Sequence, residues 1–136
     1  METNNAQIQK IYSLTSTQEG MLFHSMLDRT SGTYYQQAVF TVDGLLQPEL
    51  LEQSFNILIE RYEIFRTMFV YEKIQTPKQI VLKERPLQIQ VVDISHLDEE
   101  EKESYIEEFV RSDRSKGFDL THDTLFRVTV IQAAID

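Results

Sequence analysis

Charged side chains that could support catalysis are concentrated between Glu60 and Arg66, where two glutamates and two arginines lie among apolar residues. A buried guanidinium is costly unless it is paired, and a carboxylate can accept two of its N–H groups at once. Such a bidentate pair fixes geometry as well as charge. The sequence therefore predicts a carboxylate partner for Arg66, which is Glu63, Glu60 or an acid from elsewhere in the chain.

The histidines offer little further acid–base chemistry. The chain has three of them, His24, His96 and His122, and none has a serine or aspartate at a spacing that indicates a nucleophile–base pair. The sequence contains no cysteine and no HExxH pattern, and its four glycines form no phosphate-binding loop. We therefore assign neither a catalytic residue nor a metal site within these residues.

The elements that position the charged stretch follow from hydrophobic periodicity. Apolar residues at helical spacing, after a proline suited to a first helical position, predict a helix from Pro48 to about Tyr62. A strand over residues 67–72 and a second over residues 78–83 are predicted to form a hairpin. Arg66 is therefore expected at a junction between a helix and a strand.

Two further helices are predicted, each opened by a capping box. The first begins at Ser16, and its buried face comprises Met21, Leu22, Ser25 and Met26. The capping box of the second is Ser95 with Asp98, and this helix continues through an acidic run to about residue 113. Its inner face comprises Tyr105, Ile106, Phe109 and Val110.

Alternating or β-rich patterns predict strands over residues 34–43, 88–94 and 125–131. With the helices and the hairpin, the predicted order is α-β-α-β-β-β-α-β. This is an α/β (α+β) arrangement with helices packed on a mixed sheet.

Composition excludes several classes of protein. The chain has 136 residues, 41% of them hydrophobic, which is enough for one domain or part of one. The net charge of -9 argues against nucleic-acid binding, which needs a basic face. The polar N-terminus does not resemble a signal peptide, and no apolar run is long enough to span a bilayer. We expect a cytoplasmic protein.

Three stretches resemble motifs of condensation domains from nonribosomal peptide synthetases. Residues 61–67 are similar to RHExLRT, with Tyr62 for the usual His and Phe65 for the usual Leu. Residues 14–25 are similar to LTPxQEGMLFHS, with Ser16 where Pro is common. Residues 117–127 look like GFDLxxxxLxR. The motifs occur in family order and extend over about residues 11–131.

The resemblance implies the N-terminal subdomain of a condensation domain, with the fold of chloramphenicol acetyltransferase. The HHxxxDG motif that carries the family's catalytic histidine is expected shortly after Asp136, so the fragment is predicted to be inactive alone. The resemblance also implies that Arg66 pairs with the aspartate of HHxxxDG and supports the catalytic loop. It further implies that Gln18, Gly20, Met21 and His24 lie near the donor side of the tunnel wall.

The first residues resemble a docking segment of the same multienzymes. Residues 8–15 match an IxKIYxLT string found in segments that accept the C-terminal helix of an upstream subunit. The resemblance implies a docking segment over residues 1–12, with Lys10, Ile11 and Tyr12 as contacts, followed by condensation-domain residues 13–136. Its partners would be the upstream subunit and carrier proteins that bear phosphopantetheine, with no cofactor bound directly.

The predicted function is formation of a peptide bond by the intact domain between an upstream peptidyl or aminoacyl thioester and a downstream aminoacyl thioester. The alternatives are a non-catalytic docking module, an epimerization domain of the same fold, and an unrelated small α/β protein. Apolar surface left open by the missing strands is expected to cause self-association or marginal stability.

Overall fold

The computed structural model describes residues 7–28 and 34–134. Its elements are β1 (Ile8–Ser13), α1 (Ser16–Leu27), α2 (Pro48–Arg61), a 3-10 helix (Glu63–Arg66), β2 (Thr67–Val70), β3 (Lys78–Leu82), β4 (Gln90–Asp93), α3 (Glu99–Lys116) and β5 (Thr129–Gln132). We call the 3-10 helix the Arg66 turn. Residues 1–6 of the predicted docking segment lie outside the described residues.

Three strands form an antiparallel sheet in the order β1-β3-β2. Its buried core comprises Met68, Ile80 and Leu82, with Ile8 and Val70 packed against it. The pairing of β2 with β3 confirms the predicted hairpin. β1 occupies one edge of this sheet, while on the outer side of β2 the Phe69 amide donates a hydrogen bond to the Leu120 carbonyl at 2.9 Å.

The second sheet consists of β4 and β5, which are parallel. Parallel neighbours need a long crossover, and α3 lies between them in the chain and supplies it. Both strands were expected from their β-branched residues, and both are shorter in the structure than in the prediction. The predicted acidic helix between them is confirmed as α3.

Helix α2 is confirmed at the predicted place, with Pro48 in its first turn and Arg61 in its last. Ile59 is its buried residue, at 2% exposure. The Asn56 side chain accepts from the Leu87 amide at 2.8 Å and donates to the Leu87 carbonyl at 3.0 Å. The helix is thereby attached to the segment that leads into β4, and its C-terminal end faces the Arg66 turn.

Both predicted capping boxes are wrong in position, although both helices form. The N-cap of α1 is Thr15, which exchanges hydrogen bonds with Gln18, and the N-cap of α3 is Asp98, which does so with Glu101. Each true cap has extended backbone angles and an acceptor or donor three residues later, so the shifted boxes satisfy the same physical rule. Ser95 instead donates its amide to the Asp93 carboxylate at 2.9 Å.

The predicted strand over residues 34–43 is wrong: the described residues 34–47 contain no strand. A strand needs a neighbour for its backbone groups, and here side chains make the connections instead. Tyr35 donates to the Asp113 carboxylate at 2.8 Å, and Gln37 donates to the Val110 carbonyl at 3.2 Å. Apolar residues of this segment stay open, with Phe40 at 83% exposure.

The predicted order is corrected accordingly, because β1 precedes the first helix and the strand expected after that helix does not form within the described residues. Among the described helices, none has both the length and the apolar character that crossing a bilayer requires.

Candidate functional site

The Arg66 turn joins the end of α2 to the start of β2. Tyr62 has extended backbone angles, which end the α-helix, and the next four residues form one 3-10 turn. This turn directs the Arg66 side chain back toward the last carbonyls of α2. The side chain is buried, at 6% exposure.

Five hydrogen bonds hold the Arg66 guanidinium. Nε donates to the Ile59 carbonyl at 2.9 Å, and Nη2 donates to the Glu60 carbonyl at 3.3 Å. Nη1 has three acceptors, which are the carbonyls of Leu82 at 2.6 Å and Lys83 at 3.0 Å and the Gln9 side-chain oxygen at 2.8 Å. The cation therefore joins α2, the end of β3 and β1.

The two α2 carbonyls belong to the last turn of the helix, where carbonyls have no partner within the helix. A positive charge there is also favoured by the helix dipole. Arg66 thus caps α2 at its C-terminus from a position beyond the last helical residue, Arg61.

Of the partners that the sequence leaves open for Arg66, neither carboxylate of its own neighbourhood, Glu60 or Glu63, forms a described hydrogen bond with it. Glu60 contributes its backbone carbonyl, and the Glu63 carboxylate is bound by other side chains. Several carbonyl dipoles that converge on one guanidinium supply negative potential without an ionised acid. The described acceptors of Arg66 are all neutral.

Glu63 instead binds the exposed strand β1. Lys10 Nζ lies 2.5 Å from Glu63 Oε1, and the Tyr12 hydroxyl lies 3.5 Å from Oε2. The ammonium bonded to it holds the pKa of the Glu63 carboxyl below its usual range, and the bonded carboxylate raises the pKa of Lys10. Two of the predicted docking residues are thus joined to the Arg66 turn. Ile11 lies between them in β1 and is 57% exposed.

The predicted tunnel-wall residues lie together on α1. The Gln18 side chain bonds the Thr15 amide at 2.9 Å and the Gln79 side chain at 3.2 Å, which ties the start of α1 to β3. A Cβ added at Gly20 would meet no atom within 4 Å. The expected buried face is largely wrong, because Leu22 is buried whereas Met21 and Met26 are exposed.

His24 is exposed, and its ring lies 5.9 Å from that of Phe23 and 6.4 Å from that of Tyr34. No described hydrogen bond joins His24 to Arg66. His122 lies in the loop after α3, with Nδ1 3.2 Å from the Asp119 carboxylate. Bonds from Thr121 hold the pKa of Asp119 below its usual range.

Sequence reasoning missed a polar cluster inside the third motif. Arg127 donates to the Asp113 carboxylate at 3.1 Å and to the Gly117 carbonyl at 2.7 Å, and it lies over the Phe118 ring at 4.4 Å. The first and last residues of the GFDLxxxxLxR pattern therefore bind each other. Burial, followed by the hydrogen bond to Asp113, raises the pKa of Tyr35 in the same cluster.

Sequence reasoning also gave no role to Gln9, because nothing in an amide side chain indicates a distant guanidinium.

Within the described residues, no group of three or more histidine, cysteine, aspartate and glutamate side chains is placed to hold a metal ion.

Comparison with known proteins places the whole described site in one family model, that of the condensation domain, which matches residues 8–136. A linear gramicidin synthase protein of Brevibacillus parabrevis is 51% identical over 130 residues, which are 96% of this chain and 2% of that protein. Gramicidin S synthase 2 of Brevibacillus brevis is 49% identical over 125 residues, which are 92% of this chain and 3% of that protein. The chain thus spans a small part of the relatives that it matches.

Solved structures show the same fold. A four-domain nonribosomal peptide synthetase bound to AMP and glycine superimposes with a TM-score of 0.75 at 20% identity, over 96% of this chain and 10% of that one. The starter condensation domain of rhizomide synthetase superimposes with a TM-score of 0.75 at 16% identity, over 93% of this chain and 31% of that one.

Proposed function

The chain belongs to the condensation-domain family of nonribosomal peptide synthetases, and we propose from this premise that it forms the N-terminal part of a peptide-bond-forming domain. The predicted family and the predicted α/β, chloramphenicol acetyltransferase-like fold are both confirmed. In the proposed reaction the amine of a downstream aminoacyl thioester attacks the carbonyl of an upstream peptidyl or aminoacyl thioester. The C–N bond forms, the C–S bond breaks and the upstream arm leaves as a thiol.

The observation that carries this proposal is the buried Arg66 guanidinium within the RHExLRT-like stretch. Its described acceptors are neutral and only one described bond is made by Nη2, which supports a carboxylate from another part of the domain as a further partner. We propose that this acid is the aspartate of an HHxxxDG motif, which the 136 residues do not contain. Arg66 would then hold the catalytic loop in place and would not react itself.

Helix α1 is proposed as one wall of the tunnel that receives the donor arm, a phosphopantetheine carried by a partner protein. Support comes from the open face of α1, where Met21 is 38% exposed and Gly20 has no neighbour within 4 Å of a Cβ. An apolar side chain beside a glycine leaves room for a narrow, flexible arm. Gln18 would fix this wall to the sheet through Gln79.

The docking alternative is favoured by the position of β1 at a sheet edge. Ile11 on this strand offers an exposed apolar contact, which suits the apolar face of an amphipathic helix. We propose the C-terminal helix of an upstream subunit as that partner. The predicted boundary between residues 12 and 13 falls inside β1, so the docking surface would be part of the condensation sheet.

The proposed function can be tested with a chimera. Residues 8–134 would replace the matching segment of an active condensation domain, and the product on the downstream carrier protein would be identified by mass spectrometry. We expect the amide-linked product, and we expect Arg66→Lys to reduce it. A chimera that melts like its parent but forms no product would contradict the proposal, and an epimerised donor without a new amide would favour the epimerization alternative.

The docking alternative needs a separate assay. The chimera would receive its donor either from a separate upstream subunit or from the same subunit fused to it. Ile11→Ser should reduce transfer from the separate subunit and leave transfer within the fusion intact. Equal loss in both formats would contradict a docking role. The cytoplasmic location and self-association stay predictions, and size-exclusion chromatography would test the second.

A further inference from the structure

Strand β1 places two consecutive side chains on the Arg66 turn. Gln9 accepts a hydrogen bond from Arg66 Nη1 at 2.8 Å, and Lys10 binds the Glu63 carboxylate at 2.5 Å. We propose that Gln9 and Lys10 are positioning residues for Arg66: Gln9 fixes the guanidinium, and Lys10 holds the Glu63 carboxylate away from it. This inference rests on the proposed function, since it concerns the state in which Arg66 meets the acid of the catalytic loop.

A bulge in β1 explains how the neighbouring side chains of Gln9 and Lys10 both reach the Arg66 turn. Successive side chains of a regular strand point to opposite faces, so Gln9 and Lys10 should diverge. The register of β1 against β3 shifts between Ile8 and Lys10, which places the extra residue at Gln9. Such a bulge re-aims a side chain locally and is common beside functional sites. Here it directs Gln9 to the guanidinium.

The geometry of the Arg66 turn explains why Glu63 must be held. In a 3-10 helix, side chains three residues apart lie above one another, and Glu63 and Arg66 are the first and last residues of this one. Opposite charges so placed are expected to pair. No described hydrogen bond joins them: Lys10 binds one carboxylate oxygen of Glu63 and Tyr12 lies near the other, although the nearby charge of Arg66 also helps to lower the pKa of Glu63.

The consequence is a cation with no carboxylate hydrogen-bonded to it in its own turn, as far as its described bonds go. A Glu63–Arg66 pair would neutralise the charge proposed to hold the catalytic loop and would draw the guanidinium toward the turn. Lys10 prevents this by competing for Glu63. Gln9 adds a neutral acceptor that orients Nη1 and leaves the charge unchanged.

The first test is a pair of substitutions in the chimera. Lys10→Met removes the competing ammonium and should lower kcat roughly tenfold with little change in KM, because Arg66 is drawn to Glu63. Adding Glu63→Gln removes the competing carboxylate and should restore kcat to within about threefold of the unsubstituted chimera. Lys78→Met is the matched control, because Lys78 also binds β1, through Ser13 at 3.0 Å. Since this bond involves neither Glu63 nor Arg66, the control should leave kcat unchanged.

The second test uses Gln9→Glu, which would place a carboxylate on Arg66 Nη1. If Gln9 is a positioning residue, this variant should melt at a higher temperature and yet lose kcat, because the guanidinium gains an ion pair in the wrong place. A side chain with only a structural role would move stability and kcat in the same direction.

A readout independent of turnover separates this inference from the proposed function. The 15N-edited signal of the Arg66 Nε–H group should shift in Lys10→Met and return in Lys10→Met/Glu63→Gln. An unsubstituted chimera without activity refutes the proposed function, whatever the NMR signals show. An active chimera in which Lys10→Met is unaffected, or is not rescued by Glu63→Gln, overturns the positioning roles.

Discussion

Replacing Arg66 by methionine should remove a large share of the folding free energy of this chain. Of the five hydrogen bonds that Arg66 donates, those to the Ile59 and Leu82 carbonyls are fully buried. A hydrogen bond from a charged donor contributes about 1.5–3 kcal/mol, so these two together contribute about 3–6 kcal/mol. Methionine fills similar space and buries no charge, so we expect the lower end of this range.

Arg61→Met is the matched control, since Arg61 belongs to the same motif but is exposed. Its guanidinium lies 5.6 Å from the Tyr62 ring centre, and an exposed cation–π contact of this kind contributes about 0.5–1 kcal/mol. Urea unfolding followed by far-UV circular dichroism would measure both variants. A loss in Arg66→Met of at least about 3 kcal/mol, or complete unfolding while Arg61→Met stays folded, is expected.

The reasoning would be refuted if the two variants unfolded within about 1 kcal/mol of each other, since the buried bonds would then contribute no more than an exposed contact. Gln9→Met is a milder check, because the expected loss of stability is small enough for a marginally stable protein to remain folded. It removes one partly buried bond to the guanidinium and should cost about 1 kcal/mol.

Further substitutions test other parts of the account. Because its folded-state pKa is depressed, Glu63 stabilises the fold above the usual glutamate pKa and loses this contribution as pH falls through the folded pKa, so Glu63→Gln should flatten the decline in stability between about pH 5 and pH 3. Lys10, whose pKa is raised, should lose its contribution only as pH rises above about 10. Asp98→Ala should cost about 1 kcal/mol because it removes the observed cap of α3, whereas Ser95→Ala, at the wrongly predicted cap, should cost less than half of that in the same urea titration. Ile59→Ala should cost about 2–5 kcal/mol because it opens a cavity beside the Arg66 site.

Much of the architecture is predictable from local pattern. Helix α2 carries a proline at its start and a clear apolar face, and the β2–β3 hairpin has alternating residues around a short connection. Such signals are local, so they can be recognised in the sequence without knowledge of the tertiary structure. The predicted caps of α1 and α3 lie one and three residues from the true ones, because serine, threonine and aspartate can all act as caps and backbone angles decide among them.

The errors arise where non-local contacts decide. Residues 34–43 alternate as a strand should, but the described chain provides them with no strand neighbour, and Tyr35 and Gln37 are tied to α3 by their side chains. β1 was missed because its six residues mix polar and apolar side chains without strict alternation, and its pairing with β3 is what makes it a strand. Strand formation depends on such partners more than helix formation does.

The candidate site was predictable as a place but not as a set of contacts. The position of Arg66 at a helix-to-strand junction follows from the motif and the periodicity on either side. Its acceptors do not, because four of them are backbone carbonyls, which every residue carries. The link from Gln9 depends on a strand bulge, and bulges have no reliable pattern in a single sequence.

The most direct test of the central claim is a double-mutant cycle in the chimera between Arg66 and the aspartate of HHxxxDG. Arg66→Met, the aspartate-to-asparagine change and their combination would be compared in the rate of amide formation in a single turnover. If the cation is held for that acid, the double variant should be little slower than either single variant, with a coupling free energy above about 1.5 kcal/mol. Additive losses in a folded chimera would show that Arg66 only stabilises the turn in which it lies, and would contradict the account.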